Sequence, residues 1–369
     1  MIIGVPKEIK DNEYRVSMTP NCTYEAIKNG HTVYIENNAG LEIGFTNENY
    51  IQAGAKIINT AAEIFDKAEM IIKVKEPQPI ECKMLKPGQI LFTYLHLASS
   101  LELTKSIIDS KCIAISYETV TNKENKLPLL IPMSEIAGRL SIQFGATFLE
   151  KVNGGKGVLL GGVPGVKPAT VVILGGGVVG LNATKMAVGL NADVYLFDNN
   201  LQVLRKVDEI FGGRVKTIFS DIGSIEKIIT IADLIIGAVL IPGAISPKLI
   251  TKKMLKLMTP GTVIVDVAID QGGCFETSKP TTHSDPTYVV DDVIHYCVAN
   301  MPGAVARTAT KSLTNATIPY ILELANYGWE KAISNDPYLM KGLNICKGKI
   351  VYKEIAESFG LDHIDFCDL

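Results

Sequence analysis

Three glycines in the spacing G-x-G-x-x-G, Gly175, Gly177 and Gly180, follow directly on an apolar run, Thr170-Val-Val-Ile-Leu174. A helical pattern then runs from Val178 to Leu190 and a second strand-like run from Asp193 to Phe197, closed by Asp198, 18 residues past Gly180. A strand, a tight glycine turn, a helix start and an acid about 20 residues on are the parts that hold a dinucleotide. Gly175 permits the turn, Gly177 lets the backbone approach the pyrophosphate, and Gly180 lets helix pack on strand. The helix start offers unpaired N–H groups and the positive end of its dipole to phosphate. Asp198 is expected to accept hydrogen bonds from the adenosine ribose, and its charge to repel a 2′-phosphate, so NAD is favoured over NADP. A glycine-rich turn without ligand is the competing reading, and the shared register of all four parts weighs against it.

A second set of residues comes from reading each strand to its end, because doubly wound sheets bind ligands outside the carboxyl ends of their strands. Beyond Ile2–Val5 lies a polar loop with Arg15, beyond Met70–Val74 comes Lys75, and beyond Ile90–Tyr94 comes His96. Beyond Val263–Asp266 the chain passes through Val267, Ala268 and Ile269 to Asp270. Two cations, an imidazole and a carboxylate suit a small anionic carbonyl compound or amino acid. Arg15 is fit to hold a carboxylate through two parallel hydrogen bonds, with Lys75 adding a point charge. His96 and Asp270 are fit to move protons. The competing readings are solvated loop charges for Arg15 and Lys75, a hydrogen-bonded core histidine for His96, and an Asx-turn acid for Asp270.

The elements that must position these residues alternate between strand and helix. Strand-like runs stand at Ile2–Val5, Thr32–Ile35, Met70–Val74, Ile90–Tyr94 and Cys112–Ser116, with helical patterns at Thr19–Asn29, Thr60–Lys67 and Leu101–Ser110. Ser134–Val152 reads as a longer helix with Ser134 as its N-cap, and a glycine-rich loop follows. A second run of strands then follows, at Thr170–Leu174, Asp193–Phe197, Val215–Phe219, Leu234–Gly237 and Val263–Asp266. Alternation of this kind predicts an α/β protein with parallel sheets. The chain turns helical again through Ser312–Tyr327, and its mixed tail has too little apolar sequence for a core of its own. The expectation is two doubly wound Rossmann-like domains with an active-site cleft between them. Residues 1–128 with 307–369 form a discontinuous substrate-binding and catalytic domain, and residues 129–306 the NAD-binding domain.

Composition narrows the classes. The 369 residues carry 36 Lys and Arg against 39 Asp and Glu, a formal charge of −3, with 47% hydrophobic residues. Such a chain is globular, and with no basic run it is not built for a nucleic-acid or anionic-membrane surface. No stretch reaches the ~20 apolar residues of a membrane span. No signal-peptide pattern is visible at the N-terminus. Seven scattered cysteines without a CxxC pair indicate neither a zinc site nor a disulfide framework, so a reduced cytoplasmic protein with no metal is expected. Cys274 and Cys297, near the loops just described, are candidate oxidation liabilities.

Several motifs in one order resemble the alanine dehydrogenases. They are Gly4-Val-Pro-Lys-Glu8, Arg15-Val16 with Thr19-Pro20, Val74-Lys-Glu-Pro77, His96-Leu-Ala-Ser-Ser100, Pro132-Met-Ser134 and the Gly175–Gly180 loop. Ile241-Pro-Gly-Ala244, Asp266–Gly273, Pro280-Thr-Thr282 and Val298-Ala-Asn-Met-Pro-Gly303 continue the series, so the resemblance spans the chain. It implies an NAD-dependent enzyme that interconverts L-alanine with pyruvate and ammonium. His96 and Asp270 then correspond to the catalytic pair, and Arg15 and Lys75 to ligands of the substrate carboxylate. Tyr94, Met133 and Asn300 are the residues to watch for the choice among alanine, serine and glycine. The implied cofactor contacts are Ser134, Gly175, Gly177, Val178, Val179, Gly180, Asp198, Arg205, Ser220, Val239, Leu240, Val267, Ala268, Ile269, Asp270, Lys279, Val298, Ala299, Asn300 and Met301. A homo-oligomer, by resemblance a hexamer, is implied as well. Val203, Lys279 and Ala309 depart from residues seen in some members. Two other readings are the NAD-binding component of a transhydrogenase and a non-catalytic NAD-binding regulator.

Overall fold

The computed structural model describes residues 1–239 and 246–366, so Leu240, the Ile241–Ala244 motif and Cys367 lie outside the described residues. In chain order the strands are β1 (Ile2–Val5), β2 (Thr32–Glu36), β3 (Lys56–Ile58), β4 (Met70–Ile72), β5 (Ile90–Thr93) and β6 (Ile113–Ser116). There follow β7 (Thr170–Leu174), β8 (Asp193–Asp198), β9 (Val215–Phe219), β10 (Leu234–Gly237) and β11 (Val263–Asp266). The last are β12 (Thr287–Val290), β13 (Val293–Tyr296), β14 (Leu343–Cys346) and β15 (Lys349–Ile350). Most are short runs of β-branched residues buried on both faces, the pattern of a parallel sheet covered by helices on each side.

The chain divides into two compact units, Met1–Met133 with Val305–Leu369, and Ser134–Ala304. The first holds an eight-stranded sheet in the order β15-β14-β6-β5-β4-β1-β2-β3. Its β3-β2-β1-β4-β5-β6 portion is parallel and has the Rossmann order. The C-terminal strand β14 adds antiparallel to β6 and carries β15, so the tail completes this sheet. Ile71, Leu91, Ala114 and Ile345 from successive strands fill its core with Ile64, Phe65 and Ile107 from covering helices. Each such Ile or Leu fully buried contributes roughly 1.5–3 kcal/mol.

The second unit holds a seven-stranded sheet, β12-β13-β11-β10-β7-β8-β9, again with the Rossmann order at its centre. The order reverses between β7 and β10, which are parallel neighbours, and the glycine loop leaves β7 at that reversal. Val172, Leu174, Ile235 and Ile264 lie in its core beside Ile225, Ile229 and Phe275.

Local chemistry sets the helix ends. Thr19 accepts a hydrogen bond from Cys22 N at 3.2 Å and Pro20 opens the helix Pro20–Lys28. Ser100 caps Leu101–Ser110 in the same way, through Leu103 N. Two helix starts and one hairpin depart from the sequence expectation, and strands β3, β14 and β15 add to the runs it named. The long helix covers Ile131–Phe148, so Ser134 lies inside it instead of capping it, because Pro132 fits a first turn where its missing N–H is not needed. The late helix starts at Ala306 and not at Ser312. Ala306, Ala309, Thr310 and Leu313 are all buried on one face at helical spacing, and that burial overrides the weak propensity of a Thr-rich run. The hairpin β12–β13 was not anticipated. Its turn residues Asp291 and Asp292 take φ of 49° and 62°, where a glycine would have given the usual signal.

Candidate active site and cofactor loop

In the first unit the candidate residues follow the carboxyl ends of β1, β4 and β5. Arg15 is only 2% exposed. Its guanidinium is gripped by Glu13 through Nε to Oε1 at 2.6 Å and Nη2 to Oε2 at 2.5 Å, and the Arg15 backbone N–H also donates to Oε1. Nη1 donates to the Met133 sulfur at 3.2 Å. Burial acts to raise the Glu13 carboxyl, but the hydrogen bonds and charge of Arg15, with the charge of Lys75 added, hold it below the usual carboxylate range. Arg15 is thus a held, buried cation and not a solvated loop charge.

Lys75, half-buried, is placed by a cluster that sequence reasoning missed. Lys73 is fully buried, with Nζ 3.0 Å from Glu8 Oε2 and 2.8 Å from Glu81 Oε1. Glu8 Oε1 also accepts from Val74 N at 2.6 Å and Lys75 N at 3.4 Å, so an acid from the loop after β1 clamps the loop after β4. Burial raises the Glu8 carboxyl against the pull of Lys73, and the two acids keep Lys73 charged. An apolar strand followed by Lys73-Val-Lys75, with Glu8 65 positions away and Glu81 on the separate short helix Pro79–Cys82, carries no local signal for this triad.

His96 takes a left-handed backbone, φ 49°, which costs an L-residue about 1–2 kcal/mol. Glu118 offsets that cost by accepting from His96 N at 2.5 Å and from Leu95 N at 3.1 Å. The ring is exposed and stacks on Tyr94, centroids 6.0 Å apart at 18°. His96 is therefore not a core histidine. Tyr94 is buried, its hydroxyl donating to Leu129 O at 2.6 Å, so it presents its ring to His96.

In the second unit Gly175 has φ +100°, and a Cβ there would lie 2.8 Å from Ala238 O. A Cβ on Gly180 would fall 1.8 Å from Gly175 O, whereas one on Gly177 would meet nothing within 4 Å. Two glycines are thus demanded by the protein's own packing, and the third leaves open space at the cap of the helix Val178–Gly189. Such a cradle fits a pyrophosphate at a helix start. Val178 is exposed and Val179 buried. Asp198, at the end of β8, accepts Gly176 N at 2.7 Å on Oδ2 and Asn200 N at 2.8 Å on Oδ1, which ties it to the glycine loop.

The other expected contacts fall at strand ends of the same unit. Ser220 follows β9 and donates its N–H to Asp198 O, and half-buried Val239 follows β10. Val267, Ala268 and Ile269 follow β11. Asp270 is exposed on the turn Ile269–Gln271, and its carboxylate has no hydrogen bond among the described residues, which removes the Asx-turn reading. Thr281 bridges Val298, donating to Cys297 O and accepting from Ala299 N, and leads to Asn300 at φ 61° and buried Met301. Ser134 lies half-buried in its helix, and Arg205 is exposed on Leu201–Phe211. Lys279 places its ammonium 4.3 Å from the Tyr288 ring centre, a cation–π contact. A cavity of about 410 Å³ opens at the amino ends of the strands, lined by Thr170, Asp193, Arg214 and Lys216, away from the glycine loop.

Residues 4–137 match the family description "Alanine dehydrogenase/PNT, N-terminal domain", and residues 141–353 match "Alanine dehydrogenase/PNT, C-terminal domain". The chain belongs to this family. An alanine dehydrogenase of Halomonas elongata is 54% identical over 369 residues, 100% of both chains. One of Methanococcus maripaludis is 57% identical over 364 residues, 98% of both. Among solved structures, an L-alanine dehydrogenase superposes with TM-score 0.95 at 52% identity, covering 98% of this chain and 99% of that one. A transhydrogenase from Sinorhizobium meliloti superposes with TM-score 0.83 at 21% identity, covering 95% of this chain and 100% of that one, a likeness of fold. Among the described residues no helix is long and apolar enough to cross a membrane.

The cysteines of this family member correct one expectation. Cys274 and Cys297 are fully buried, and burial pushes the Cys274 thiol up to about 12 and raises that of Cys297. Thiols held protonated and out of water are poor nucleophiles, so neither is an oxidation liability.

Proposed function

We propose that the chain is an NAD-dependent L-alanine dehydrogenase that interconverts L-alanine with pyruvate and ammonium. The observation that carries this reading is identity above half, over the full length of both chains, with relatives named alanine dehydrogenase. The glycine cradle and Asp198 support a dinucleotide as cofactor, and the carboxylate at the end of β8 favours NAD over NADP.

A bound dinucleotide would be held by Gly175, Gly177 and Gly180 at its pyrophosphate and by Asp198 at its ribose. Ser134, Val178, Val179, Arg205, Ser220, Val239, Val267–Asp270, Lys279 and Val298–Met301 would make the remaining contacts. When bound, the nicotinamide supplies the acceptor for a hydride from the substrate Cα. Arg15 and Lys75 take the substrate carboxylate, and a carboxylate fixed at two cations orients Cα. Met133 and Tyr94 pack beside Arg15 and His96 and bound the methyl side. His96 and Asp270 carry the protons as the amine becomes an imine, water adds, and the carbinolamine collapses to pyruvate and ammonium. This assigns substrate binding to residues 1–128 with 307–369 and cofactor binding to 129–306. It also places the enzyme in the cytoplasm as a homo-oligomer.

NADH absorbance tests the reading, with L-alanine plus NAD in one direction and pyruvate plus ammonium in the other. Signal in both directions is expected. Turnover that requires a second nucleotide and a partner protein supports a transhydrogenase component instead. Silence in both directions, with dinucleotide binding retained, leaves a regulator.

A further inference from the structure

Asp266 closes β11 with its side chain wholly out of water and no ion pair among the described residues. An uncompensated buried carboxylate is costly, so its hydrogen bonds must repay that cost. Its Oδ1 accepts from Ala268 N at 3.1 Å, and its Oδ2 accepts from Cys274 N at 2.8 Å and from Ser278 Oγ at 2.5 Å. One side chain therefore holds both feet of the loop that begins at Val267 and ends at Cys274. Asp270 stands at the crown of that loop, exposed.

The loop is closed by its own backbone as well. Gln271 N and Gly273 N donate to Ala268 O, and Gly272 N to Ile269 O. Outside it, Ser246 N donates to Gln271 O at 3.0 Å, and Lys248 Nζ to Gly273 O at 2.9 Å. Gly273 has φ +76°, and a Cβ there would sit 2.5 Å from Asp266 Oδ2 and 2.8 Å from Ser278 Cβ. The chain passes so close to the carboxylate that no side chain fits between. Each Asp266 oxygen meets a backbone N–H, Ala268 at Oδ1 and Cys274 at Oδ2, and only an acceptor at both positions satisfies the two. An amide in its place would turn its NH2 against the backbone N–H of Ala268 or Cys274, a donor set on a donor, and only the Ser278 hydroxyl could rotate to accept.

We infer that Asp266 is a positioning residue for the reaction proposed above, setting the crown of the Val267–Cys274 loop so that Asp270 stands where it exchanges protons with substrate. The inference rests on the assignment of Asp270 in that reading. Asp266 does not touch the reacting atoms, and its effect passes through Asp270.

A double-mutant cycle on the full-length enzyme tests it, with kcat measured at saturating NAD and L-alanine. Loss of the charge together with a donor set on a donor predicts that Asp266→Asn lowers kcat about 10- to 100-fold in the otherwise native chain. In an Asp270→Asn background the same change is expected to have almost no further effect, because the residue it positions is already gone. A merely structural role lowers kcat by the same factor in both backgrounds, and that result overturns the inference. Should D266N fail to fold, S278A removes only the Oγ–Oδ2 bond and carries the same cycle, with a loss of about 3- to 10-fold expected in the native background alone. No loss from S278A in the native background counts against the inference. Near-normal kcat in D270N overturns the role of Asp270 itself, which separates failure of the underlying reading from failure of the positioning role.

Discussion

Glu13 and Arg15, two residues apart, form a bidentate pair whose side chains are 1% and 2% exposed. The pair fixes the plane of the guanidinium before any substrate arrives and leaves the Nη1 side turned toward Met133. Arg15→Lys keeps the charge and loses the fork. It is expected to raise the KM for L-alanine at least tenfold with a smaller change in kcat, read from initial rates at saturating NAD. An unchanged KM removes Arg15 from the carboxylate site.

Removing Glu13 strands a buried cation. Glu13→Ala is expected to destabilise the enzyme by about 3–5 kcal/mol in denaturant titration. The sign with pH follows from the direction of the Glu13 shift. Its folded pKa lies below the ordinary value of 4.5, so its stabilisation is fully present above that value and is lost as pH falls through the folded one. The stability gap between native enzyme and Glu13→Gln should stay constant from neutral pH down to about 4.5 and narrow only below it. A gap that closes near neutrality contradicts the pairing.

His96→Ala and Asp270→Asn are each expected to lower kcat by about 10²–10⁴, and in His96→Ala, whose residue makes no cofactor contact, the dissociation constant for NADH, read by fluorescence, stays within a few-fold. Near-native turnover in either variant removes that residue from proton transfer.

Gly177 and Gly180 separate ligand space from protein packing. Gly177→Ala adds a methyl group where the protein has none within 4 Å, so the melting temperature should barely move while the KM for NAD rises. Gly180→Ala drives a Cβ to 1.8 Å from Gly175 O and should lower both stability and cofactor affinity. Equal melting temperatures for the two variants contradict the packing described.

Cys274 and Cys297 should resist a thiol reagent at pH 8 in the folded enzyme and react on unfolding, as mapped by mass spectrometry. Prompt labelling of either in the native state contradicts their burial.

The dinucleotide loop was legible in the sequence because its signal is local. Turn, helix start and strand-end acid lie within one βαβ unit, and each is dictated by backbone geometry at that spot. Both Rossmann sheets were legible too, since strand and helix differ in period and alternate regularly. Strand-end position offered Arg15, Lys75, His96 and Asp270 as candidates, because ligands of a parallel sheet bind beyond the carboxyl ends of its strands. What surrounds these residues was decided by tertiary structure alone. Glu8 reaches Lys73 across 65 positions, and Glu118 reaches the His96 amide across 22. Asp266 binds a loop that returns to it eight residues later. In sequence these acids look like any surface carboxylate. Only folding takes Glu8 and Asp266 out of water, where an ionised group persists only if donors or a countercharge meet it, and turns half-buried Glu118 toward two backbone amides, which makes these acids the supports of the candidate residues.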